Sequence, residues 1–103
     1  MNQLSGRAAP FRTDRPSTQL LHDSEDLRVV AFALEPGQEV RPHRSTSAVL
    51  LQVIEGEGEF SGANGIQRVV AGDAVAYDRE ELHGIRANAG RLRFLAIITP
   101  RPG

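Results

Sequence analysis

The chain carries three imidazoles, at His22, His43 and His83. Imidazole is the side chain best suited to metal ligation and proton transfer near neutral pH. His43 and His83 each sit in a short apolar run bounded by turn residues. In an extended segment, residues two apart share a face. Arg41, His43 and Ser45 are therefore expected to point the same way, as are Val49, Leu51 and Val53 on the following run. Two imidazoles fall short of the three protein ligands of an open catalytic metal site. Ser45 is a neutral hydroxyl and a poor ligand, and Val49 offers no donor. Glu81, two residues before His83, and His22, if its strand returns to the mouth, are the candidates for completing a set.

The neighbouring side chains have a structural role and a functional one to choose between. Arg41 pairs either with a surface acid or with a substrate carboxylate, for which its guanidinium is shaped. Tyr77 and Phe94 are either core filler or an aromatic wall. Leu51, Val53, Val75 and Ile98 would leave the remaining lining apolar, which suits a hydrophobic or aromatic molecule better than a sugar nucleotide. Ser45 near His43 lacks oxyanion donors and an orienting acid, so a hydrolase is not supported and no catalytic residue is assigned. Glu55-Gly56-Glu57-Gly58-Glu59 lacks the spacing of a calcium loop and reads as a solvated turn. Gly56–Gly65 opens no helix and so offers no phosphate cradle. Two unligated imidazoles in an apolar interior are both expected to resist protonation.

The elements that must position these groups are short strands. Gln19–His22, Leu27–Glu35, Val40–His43, Ala48–Glu55, Ile66–Val70, Ala74–Tyr77, Leu82–Ala87 and Leu92–Thr99 are apolar or β-branched and lack a helical stripe. Asp23–Asp26, Pro36-Gly37, Gly56–Gly58, Gly62-Ala63-Asn64-Gly65, Gly72-Asp73, Asp78–Glu81 and Asn88–Gly90 punctuate them. Eight or nine short strands at this spacing predict an all-β barrel or sandwich.

Composition narrows the class further. A chain of 103 residues makes one domain. It has no cysteine, hence no disulfide and no thiol nucleophile. All 12 basic residues are arginine, spread along the chain and balanced by 13 acids. A nucleic-acid surface and a lysine Schiff base are thereby disfavoured. No apolar stretch is long enough for a membrane span or a signal peptide, so the expected compartment is the cytoplasm. Residues 1–18 read as an arm, flexible or packed on a partner, and residues 19–103 as the barrel.

Two stretches resemble the paired signature motifs of the cupin superfamily. In the first, Gly37 is followed after five residues by His43, and Gly56 closes the motif in register. The family's second histidine is here Ser45 and its glutamate is Val49. In the second, Gly72 leads to Asp78 at the proline position, Glu80 at the glycine position and His83 at the histidine position. Asn88 falls one residue late, with Ala87 in its place. The tail, HGIRANAGRLRFLAIITPRP, resembles the usual ending of small cupins. The likeness covers about residues 27–100. It implies a double-stranded β-helix, or jelly-roll barrel, of the RmlC-like kind. It also implies a metal held by four residues, of which His43 and His83 are kept.

The expected function is therefore a small cupin barrel that binds a small organic ligand in an apolar pocket with an incomplete metal set. Its lining would include Arg41, Ser45, Val49, Leu51, Tyr77, Glu81 and Phe94. The cofactor would be none, or a weakly bound divalent ion at His43 and His83. The alternative is a metal-dependent dioxygenase or isomerase acting on a small organic acid or phenol. The resemblance also implies a homodimer, with outward Leu50 and Ile54 and the N-terminal arm as its face.

Overall fold

The computed structural model describes residues 1–102; Gly103, the end of the expected barrel, lies outside the described residues. The chain forms β1 (Ser17–Asp23), β2 (Arg28–Leu34), β3 (Glu39–His43), β4 (Ala48–Gly62), β5 (Gly65–Val70), β6 (Ala74–Tyr77) and β7 (His83–Thr99). All pairings are antiparallel, in the order β1-β2-β7-β4-β5, with β3 on β7 and β6 on β4. The described residues contain no helix, so none is long and apolar enough to cross a membrane. The result is a β barrel of jelly-roll type.

The number of strands is smaller than the turn signals predict, because two of those signals lie inside strands. β4 runs 15 residues through Glu55–Glu59, and β7 runs 17 residues through Asn88–Gly90. Both sites are irregularities in the β4–β7 pairing rather than chain reversals. Gly56 pairs with Leu92 and Gly58 with Ala87, so β7 carries the extra residues. A bulge of this kind bends and twists a strand without ending it. The bend lets the first half of β4 pair with β6 and the second half with β5. Likewise β7 pairs with β3 through its first half and with β2 through its second.

Glycine is required at the bend. Gly56 has φ +84°, and a Cβ there would collide with the Arg91 carbonyl group. Gly72 has φ +95° in the β5–β6 turn, yet a Cβ there would meet open space. The expected hairpin at Gly62–Gly65 is present as a two-residue turn, since Gly62 pairs with Gly65.

Strand alternation sorts the core into an inner and an outer layer. On β2, Val30 and Phe32 face the barrel interior with Phe94, Leu51 and Ile85, while Ala31 and Ala33 face outward. The outward alanines are fully buried because the N-terminal segment lies over them. Ala9 packs on both, and small side chains allow that close approach. Phe11 is contacted by the guanidinium groups of Arg91 and Arg93, each 4.3 Å from its ring centre. Arg93 also donates to the carbonyls of Arg7 and Ala9, Arg7 pairs with Glu55, and the Gln38 amide donates to the Arg12 carbonyl.

The segment expected as a free or partner-bound arm is thus strapped to its own barrel. The physical reason is the apolar outer face of β2, which one copy of the chain covers for itself. Ile54, expected on a dimer face, lies against Gly6 of this strap.

Two substitutions separate shape from space at these glycines. Gly56→Ala adds a backbone clash to the cost of a left-handed residue and should destabilise by at least about 2 kcal/mol. Gly72→Ala incurs the conformational cost alone, about 1 kcal/mol. Thermal unfolding should therefore show the larger fall in Tm for Gly56→Ala. Equal falls would contradict the close approach at Gly56.

Candidate functional site

The two histidines meet through strand pairing. β3 lies antiparallel to the start of β7 with His43 opposite His83. Their ring centres are 4.2 Å apart, tilted by 60°. His83 is buried at 4 % exposure, whereas His43 is exposed at the mouth. In each ring Nδ1 lies 3.1 Å from the backbone carbonyl two residues earlier, that of Arg41 for His43 and of Glu81 for His83. A carbonyl only accepts, so Nδ1 carries the proton in both rings. Each neutral ring then has an unprotonated Nε2, free to accept a hydrogen bond.

Both rings border a cavity of about 420 Å³. Its walls come from β2, β4 and β7, and include Val30, Phe32, Val49, Leu51, Phe94 and Ile98. Phe32 and Phe94 stack face to face, centres 4.6 Å apart at 10°, and Phe60 supports Phe94 edge-on at 5.6 Å. Arg44, Ser45, Thr46 and Pro102 also border it. Among the described residues no Asp or Glu lines this space.

Several expected lining residues lie elsewhere. Arg41 is outside the cavity. The reason is a bulge in β3: Val40 pairs with Ile85 and His43 with His83, so three steps on β3 match two on β7. One extra residue reverses the alternation. Val40, rather than Arg41, accompanies His43 on the cavity side, and Arg44 joins them. Arg44 is the charged residue that sequence periodicity missed. Ser45 does border the cavity, but its Oγ accepts from the Ser47 amide at 3.1 Å, a local turn bond, and neither imidazole bonds to it.

Glu81 is turned away as well. Its carboxylate accepts from the amides of Ala63 and Asp78, at 3.2 and 3.1 Å, tying the β4–β5 turn to the segment before β7. Tyr77 lies 5.0 Å from the His83 ring but faces a second, smaller cavity with Glu81. Its hydroxyl donates to the Ser61 carbonyl, and burial, with the Glu81 charge adding to it, pushes its pKa up to about 12. Val53 and Val75 also lie outside the main cavity, and His22 sits on β1 opposite Val29, away from the other imidazoles.

The residues present do not complete a metal centre. Among the described residues no group of three or more His, Cys, Asp or Glu side chains is disposed to hold an ion. His43 and His83 offer two Nε2 donors, while Ser45 and Val49 add no third strong one. The arrangement places two imidazoles beside a flat apolar floor, with the Arg44 guanidinium at the mouth.

Comparison with known proteins agrees with this architecture. The profile of the cupin domain family matches residues 30–98. No curated relative matches the chain. An RmlC-like cupin protein from Desulfovibrio desulfuricans superposes with a TM-score of 0.85 at 28% identity, over 97% of this chain and 96% of that one. A Klebsiella pneumoniae protein with a double-stranded β-helix domain gives 0.82 at 24% identity, over 89% and 84%. A predicted oxalate decarboxylase from Thermotoga maritima gives 0.77 at 24% identity, over 82% and 80%.

Burial sets the proton affinity of His83. Desolvation lowers its pKa below the ordinary value, the nearby His43 lowers it further, and the Glu81 carbonyl and charge offset part of this. The neutral ring is thus favoured in the folded state. The unfolded chain binds this proton first as pH falls below about 6.5. The stabilisation is therefore full above that pH and is lost as pH falls through the folded value. An NMR titration should place His83 below about 6.5, and His83→Gln should flatten stability against pH between about 6.5 and the folded value. A His83 resonance titrating at or above about 6.5 would contradict the buried neutral ring.

Proposed function

The chain belongs to the cupin domain family, and from that premise we propose that it binds a small, largely apolar organic molecule inside its barrel. The observation that carries this reading is the cavity of about 420 Å³ floored by the stacked Phe32 and Phe94. An apolar space of this size, open at one end, gains free energy by taking in an apolar body of matching shape. The two bare Nε2 atoms orient that body by accepting a hydroxyl or N–H donor. The buried acceptor of His83 discriminates against ligands that leave it unpaired.

The alternative is a metal-dependent dioxygenase or isomerase; among similar structures, that of Thermotoga maritima is a predicted oxalate decarboxylase. The facing imidazoles speak for it. Against it stands the donor set, in which the place of a third protein ligand is taken by Ser45 or Val49.

Elemental analysis separates the two. Protein made without a His tag and dialysed should retain well under one equivalent of iron, manganese, nickel or zinc. Stoichiometric metal surviving dialysis would overturn the ligand-binding reading in favour of the enzyme.

A second test addresses the cavity directly. Val30→Trp fills the half-buried edge of the space and should weaken binding of 4-methylphenol at least tenfold, read by ligand-observed NMR. The circular dichroism spectrum should be unchanged. Undiminished binding would place the molecule outside the barrel.

A further inference from the structure

The lining of the cavity is electrically one-sided. Arg44 is the charged side chain on it, and among the described residues no Asp or Glu faces the space. None of the seven ion pairs among the described residues engages Arg44, a property it shares with Arg12, Arg41, Arg79 and Arg86; of these five, Arg44 is the one that borders the cavity. Arg41, three residues earlier, lies outside the cavity. The polar groups are also separated by depth. Arg44 is exposed at the mouth, His83 is buried, and the apolar wall of Phe32 and Phe94 completes the lining.

Each zone asks for one chemical feature. The aromatic wall takes a flat apolar body. In the neutral His83 ring, Nδ1–H donates to the Glu81 carbonyl, which leaves Nε2 to take a hydrogen-bond donor. A guanidinium at the rim takes a carboxylate in a bidentate, charge-assisted bond. The rim position keeps that anion partly hydrated, which avoids the desolvation penalty of a buried ion pair. A cation would meet Arg44 with no neutralising acid beside it.

Building on the reading of the cavity as a ligand site, we infer that it selects a planar monocarboxylate with a hydroxyl at the end remote from the carboxylate, and that Arg44 is the residue that selects the charge. The hydroxyl goes inward to the imidazoles and the carboxylate remains at the mouth. Neutral and cationic analogues of the same shape bind less tightly.

The test uses the full chain and four probes built on one phenol ring: 4-hydroxyphenylacetate, its isosteric amide 4-hydroxyphenylacetamide, 4-hydroxyphenethylamine and 4-methylphenol. Titration calorimetry and ligand-observed NMR give their dissociation constants. The acid should bind about tenfold more tightly than the amide, the scale of one charge-assisted bond at a partly exposed site, and the amine most weakly. Arg44→Gln should remove the gap between acid and amide, with Tm unchanged. Arg41→Gln should leave the gap intact.

Equal binding of acid and amide, or a gap that persists in Arg44→Gln or vanishes in Arg41→Gln, would overturn the inference while the ligand-binding reading stands. Failure of all four probes, 4-methylphenol included, would overturn both.

Discussion

Every strand pairing except that of β1 with β2 involves β4 or β7, and these two strands pair with each other along most of their length. The barrel exists because both strands bend at the same place. Gly56 adopts a left-handed conformation there, and the extra residues of β7 stand opposite β4 between Gly56 and Gly58. Without the bend, each long strand would continue one flat sheet. With it, the first half of β4 turns toward β6 and the second toward β5, and an apolar interior is enclosed. The outer face of β2 is closed by the N-terminal strap, held by Phe11 against two arginines and by Arg93 on backbone carbonyls. A short chain without disulfides gains stability from closing its sheet and covering the outside of β2 as well.

The site inherits its chemistry from the same framework. β3 is a short strand whose bulge presents Val40, His43 and Arg44 to the cavity. The β3–β7 pairing places the two imidazoles opposite each other, and each Nδ1 is fixed by a carbonyl of its own chain. The cavity border thus carries the buried His83 imidazole, the exposed His43 imidazole and the Arg44 guanidinium at the mouth. Glu81, two residues before His83, and Tyr77, 5.0 Å from its ring, are occupied in bracing the neighbouring turn and strand.

Much of the fold is legible in residue types. β6 lies where Ala74–Tyr77 was expected, β2 and β5 lie within a residue of their apolar runs, and the Gly62–Gly65 hairpin follows from its turn chemistry. Glu55–Glu59 misleads because glycine and glutamate disfavour strands locally, while pairing on both sides holds them extended. The same holds for Asn88–Gly90, whose turn signal marks an insertion in a continuing strand. Small outward alanines at 31 and 33 were the trace of the strap. They carry no sign of which segment would cover them.

By itself the sequence determined an all-β barrel or sandwich, the two histidines with their spacing, and Ser45 and Val49 at the positions between them. These follow from local preferences and from side-chain identity, which every residue carries with it. The tertiary structure decided which face each side chain occupies: Arg44 at the cavity in place of Arg41, Glu81 turned outward, the arm laid on its own barrel. A single extra residue in β3 reverses its alternation, and that residue is stable only because β7 lies beside it. Such parity is a property of the pair of strands, and neither strand's sequence contains it alone.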